Sequence, residues 1–164
     1  MNRNLNNNLT PQTAVKTTAI IHLGLTAGQI LFAIVAYTTT PQKGFAFDGV
    51  KDPFIYVAII LALNGFIVGN LMFKKQVGKV VPEDTLSKKI SVYQTAFIIR
   101  AALLEGASLF SIAVYLIGWN LFFLALSGLI ILYFLTLRPT KEKIANDMNL
   151  DYDEKAELDG QPVN

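Results

Sequence analysis

Four long apolar stretches, separated by short polar segments, organise this chain. They cover about 18–37, 54–73, 98–117 and 120–137. Neither the two-residue alternation of a strand nor the one-sided pattern of a soluble helix fits runs so continuous. Each approaches the ~20 residues that an α-helix needs to cross ~30 Å of hydrocarbon. The expected fold is all-α, a polytopic membrane protein with four transmembrane helices. A short tail over 1–16 precedes the membrane domain at 17–139, and a second tail over 140–164 follows it.

A displacement of 78 residues lays 17–37 on 95–115 without a gap, and nine of the 21 positions are identical. Thr17/Thr95, Gly28/Gly106 and Tyr37/Tyr115 are among them, so apolar bias alone does not make the match, and His22 falls on Arg100. The second and fourth stretches agree only in hydropathy and in a basic end. The simplest arrangement is two helical hairpins of like orientation, a parallel repeat. Small residues four apart recur at Gly24 and Gly28, at Gly65 and Gly69, and at Ala102 and Gly106. In lipid such pairs let helix backbones approach closely. They predict helix packing through these faces, within the monomer or between copies, and hence a homo- or hetero-oligomer in the bilayer.

Lysine and arginine set an orientation. Eleven of them fall on one side, namely Arg3, Lys16, the five lysines between 74 and 89, Arg138, Lys141, Lys143 and Lys155. Only Lys43 and Lys51 fall on the other. Both termini are therefore expected in the cytoplasm, with a bacterial inner membrane as the location. The net charge of +2 follows from that topology and points to no nucleic-acid partner. The absence of cysteine removes disulfides, thiolate chemistry and sulfur-bound metals. A signal peptide does not fit the first stretch, which is too long and has no small-x-small site after it. Phe45, Phe47 and Trp119 are placed to anchor at the interface. Residues 85–93 begin the third helix below the membrane, and 140–150 form a short helix with Ile144 and Met148 on one face. The Asn-rich segment 2–8 and the acidic segment 151–159 are expected to lack order.

Candidate chemistry centres on Glu105, the one acid in any of the four stretches. A carboxylate at the middle of a spanning helix costs ~2.5–3.5 kcal/mol on insertion scales. Arg100 lies five residues earlier, an offset of about 140°, so the two do not share a helix face. Asn64 lies at a comparable depth and His22 a turn or two away. A polar cluster of Glu105 with Asn64 and His22 is expected, with Arg100 of a neighbouring copy as a further partner. Two readings stay open. In one, these four residues bind or conduct protons or monovalent cations; in the other, Glu105 is hydrogen-bonded in the bundle and holds its register. Arg100 is close enough to the boundary to snorkel to the headgroups. His22, Asn64, Asn70 and Gln29 read as interhelical hydrogen-bonding groups. No Gly-x-Ser-x-Gly turn, Walker loop or His-Glu-x-x-His pair occurs. A single histidine cannot build a multi-histidine metal or haem site. The expectation is a protein that is not an enzyme, with no cofactor and no metal.

Three motifs carry a resemblance, Ile20-Ile21-His22, the segment from Ile98 through Arg100 and Glu105 to Gly106, and the closing Leu137-Arg138-Pro139-Thr140-Lys141-Glu142-Lys143. On these the whole-chain plan resembles a group of small four-span bacterial inner-membrane proteins, a resemblance that implies topology and assigns no activity. Locally, 101–109 is similar to the carboxylate-bearing helix of the proteolipid ring subunits of rotary ATPases. That similarity implies an ion-carrying role for Glu105, although the family's glycine-rich partner helix has no counterpart here. The alternative is a structural or accessory subunit of a larger membrane complex.

Overall fold

The computed structural model describes residues 10–40, 44–45 and 53–161. The expectations for 2–8, Phe47, Lys43 and Lys51 fall outside the described residues. The elements are α1 (Pro11–Thr39), α2 (Pro53–Val77), α3 (Leu86–Gly118), α4 (Leu121–Thr136), α5 (Lys141–Asp147) and α6 (Tyr152–Asp159).

Hydrocarbon offers no partner to a backbone N–H or C=O, so apolar runs of this length satisfy themselves as helix. Short polar side chains set the starts. The Thr10 hydroxyl accepts from the Thr13 N–H at 3.3 Å, with Pro11 next in line. Thr85, Asn120 and Thr140 begin α3, α4 and α5 in the same way. α3 stops where Trp119 turns to the left-handed region at φ 57° and gives its N–H to the Tyr115 carbonyl.

α1, α2 and α3 are each long and apolar enough to cross a membrane. α4 has 16 residues, and it reaches that criterion only together with α5, which leaves it at 83°. α3 is the central helix. α1, α2 and α4 all pack on it, whereas α1 and α2 scarcely touch. The first two long helices are thus not a packed hairpin, because α2 spends its small-residue face on α3. At the end away from the termini, Gly44 is pinned to the α3–α4 turn, accepting from the Leu121 N–H at 2.8 Å and donating to the Trp119 carbonyl at 3.3 Å.

The 78-residue register reappears in burial. Thr18/Ala96, His22/Arg100, Thr26/Leu104, Gln29/Ala107 and Ala36/Val114 are buried at both members. α1 and α3 therefore turn equivalent faces inward, though Tyr37 is exposed where Tyr115 is fully buried.

The C-terminal segment departs from expectation. Residues 151–159 are acidic and poor in apolar side chains, yet 152–159 form α6. Asp151 caps it through a reciprocal box with Glu154, and Leu158 enters the core with Ile144, Met148 and Leu150. These side chains meet Ala14, Leu86, Ile90 and Tyr93 beneath α1 and α3. Lys89 and Glu154 close the contact with an ion pair at 2.6 Å, the lysine side chain only 4% exposed. The side chain of Gln12 donates to the Glu157 carbonyl. A composition average overlooked one leucine, one cap and one buried lysine, which together hold the segment.

Candidate functional site

The polar side chains of the long helices fall into three separate groups. The largest surrounds Arg100, on the part of α3 nearer the termini. Gly69 makes room for it, since a Cβ there would stand 3.3 Å from the Arg100 Cγ. The guanidinium lies over the Phe73 ring, 3.9 Å from its centre, and 5.9 Å from that of Phe97. Nη1 donates to Asn70 Oδ1 at 3.5 Å, and the Asn70 amide donates to the Phe66 carbonyl at 2.6 Å and to the Tyr133 hydroxyl at 2.7 Å. Among the described residues Nε and Nη2 have no hydrogen-bond partner, and neither does the Tyr93 hydroxyl. Arg100 is only 5% exposed. It does not snorkel; the two aromatic faces and the close α2–α3 approach hold it inside. Asp147 of α5 feels the Arg100 charge. Burial raises the affinity of its carboxyl for a proton, and Lys143 and Arg100 partly offset that.

The second group lines the contacts of α4 with α1 and α3. His22 Nε2 bonds to the Phe134 carbonyl at 2.9 Å, and the imidazole stacks on the Phe134 ring with centroids 4.8 Å apart. An acceptor there requires Nε2 to carry the hydrogen. Thr18 and Thr26 return their hydroxyls to their own helix, at Ala14 and His22. Farther along the bundle, Ser108 of α3 and Ser127 of α4 share a hydrogen bond of 2.8 Å. Gln29 is fully buried, and neither amide atom is bonded among the described residues.

Glu105 stands apart from both. It is half-buried on the outward side of α3, flanked by Ala102 and Gly106, which are exposed. It makes no hydrogen bond or ion pair among the described residues. The expected cluster with Asn64 and His22 does not form. Asn64 is exposed and its amide turns back to the Ile60 carbonyl at 2.9 Å, while His22 is spent on α4. Of the four candidates, His22 and Arg100 face the interior, Asn64 and Glu105 do not, and no two are hydrogen-bonded.

The three small-residue pairs also separate. Gly65 and Gly69 are buried against α3, and a Cβ on Gly65 would lie 3.1 Å from the Leu103 carbonyl oxygen. A Cβ at Gly24, Gly28 or Gly106 would meet nothing within 4 Å among the described residues. Only the α2 pair serves close approach inside the chain.

Tyr133, Tyr93, Asp147 and the Lys89–Glu154 pair were not singled out from sequence. A tyrosine hydroxyl within an apolar run was a usable signal for Tyr133; the others depend on how the tail folds back. No group of three or more His, Asp or Glu side chains is placed to hold a metal among the described residues. The chemistry present is hydrogen bonding, charge and proton holding at single sites. Compared with protein-family models, curated proteins and solved structures, the chain matches none.

Proposed function

We propose that the chain is a four-span protein of a bacterial inner membrane, with both termini cytoplasmic. It acts as a non-catalytic membrane component that assembles with a second copy of itself. The observation carrying this reading is Glu105, an unpartnered carboxyl beside Ala102 and Gly106 on the open side of α3. Lipid gives that group nothing to bond with, and its cost there is ~2.5–3.5 kcal/mol when charged. A protonated carboxyl is at once donor and acceptor, so the same group on a second copy satisfies it. A two-fold interface brings equivalent residues together in this way, and the small neighbours allow the helices to approach. Ion passage has less support, because His22 and Asn64, its expected relays, are engaged elsewhere.

The test is energy transfer between labelled chains in vesicles at increasing lipid dilution. Glu105→Gln keeps a self-complementary group and should associate like the parent. Glu105→Leu should associate about tenfold more weakly, the scale of one or two interhelical hydrogen bonds. A parent that is monomeric at every dilution, or a leucine variant that associates equally well, rejects the reading.

A further inference from the structure

The α1–α4 seam lies away from the Glu105 face and has an amphiphilic form. Near the termini a cavity of about 320 Å³ is bordered by Arg138, His22 and Thr26 and walled by Ile20, Leu23 and Leu135. Farther along the same seam a second cavity of about 320 Å³ begins at Ile30 and Ile131 and continues past Ala33 and Gly128. Its lining is almost wholly apolar. One leaflet of hydrocarbon is about 15 Å deep, about ten residues of helix, which is the interval from Ile20 to Ile30.

The cationic end is free to bind. Arg138 is exposed, and among the described residues its guanidinium makes no hydrogen bond or ion pair. Lys16 is exposed one turn before Ile20 and adds a second positive charge at the same end. His22 is only 4% exposed, and its Nε2–H is given to the Phe134 carbonyl. That leaves Nδ1 as the ring atom for a ligand, an acceptor in the neutral ring.

We propose that this seam seats one anionic phospholipid, its phosphate on Arg138, a headgroup hydroxyl on His22 Nδ1, and an acyl chain along Leu23 and Leu135 toward Ile30. Charge selects the headgroup, because a basic pocket between spanning helices favours an anionic lipid. The apolar continuation selects a lipid over a free phosphate. A hydroxyl-bearing headgroup matches the acceptor at Nδ1, so phosphatidylglycerol is the probe.

The experiment uses the full chain purified in mild detergent, with bound lipid counted by native mass spectrometry. Phosphatidylglycerol and phosphatidylcholine with the same acyl chains are offered in competition. The glycerol form should be retained about fivefold more tightly, the effect of one basic side chain near a headgroup. Arg138→Gln should remove most of that preference, leaving only what Lys16 supplies, and Arg138→Lys should largely restore it. Arg138 is exposed, so neither change threatens folding. Equal retention of the two lipids by the parent overturns the proposal, as does an unchanged preference in Arg138→Gln. Displacement by glycerol phosphate as effectively as by the lipid would show a headgroup-only site and overturn it too.

Discussion

Gly65 and Gly69 on α2 have the same spacing as Ala102 and Gly106 on α3, yet the two pairs meet opposite surroundings. The first pair is pressed against the α3 backbone, with 3.1 Å between a Cβ built at Gly65 and the Leu103 carbonyl oxygen. The second faces outward, with open space beyond Gly106 and an unpartnered carboxyl beside it. The contact that the first pair makes inside the chain is the kind the second is free to make with another. Small residues in lipid therefore mark surfaces of approach, and the fold decides which are used internally.

Leucine at the two positions gives the sharpest contrast. Gly65→Leu must push apart a backbone contact that no rotamer change relieves. We expect a loss of about 3 kcal/mol or more, the upper range for overpacking, read as unfolding in mixed micelles. Gly69→Ala meets the Arg100 side chain at 3.3 Å, which can shift by a few tenths of an ångström. It should cost about 1 kcal/mol and, because it displaces the guanidinium, weaken the Asn70 bond. Gly106→Leu should leave stability within about 0.5 kcal/mol of the parent, as outward substitutions do, while reducing self-association. If Gly106→Leu unfolds the chain as readily as Gly65→Leu, the distinction between the faces is lost.

The smallest effect lies at the tail. Burial raises the proton affinity of Asp147 above its ordinary carboxyl value, with Lys143 and Arg100 opposing. A carboxyl with a raised folded-state value stabilises when protonated, and that contribution is lost as pH rises through the folded value. Asp147→Asn should therefore raise the melting temperature slightly at neutral pH and leave it unchanged at pH 4, measured by thermal scans at both.

Much of the fold was legible in the apolar runs. The stretch at 120–137 became α4, and the short helix expected after Pro139 became α5 with Ile144 and Met148 inward. Inward faces of α1 and α3 could be anticipated from the repeat. The site was less legible, for a physical reason. Depth along a helix follows from sequence, but azimuth relative to neighbouring helices does not, so Asn64 at the level of Glu105 and His22 a turn or two away did not share a face with it. Arg100 was read as a side chain reaching for headgroups, because nothing in one sequence showed Phe73 and Gly69 waiting opposite. α6 was overlooked because its order depends on Lys89, more than sixty residues away.

In the assembly proposed above, the Ala102–Gly106 face meets its counterpart on a second copy. The natural absence of cysteine permits a clean test by disulfide scanning in native membranes. Single cysteines at Ala102, Gly106, Leu71 and Leu132 would be oxidised with the full chain in place; Leu71 and Leu132 are exposed controls on α2 and α4. We expect a cross-linked dimer from Ala102→Cys and Gly106→Cys and little from the controls. Equal cross-linking at all four positions, or none at Ala102 and Gly106, would contradict it.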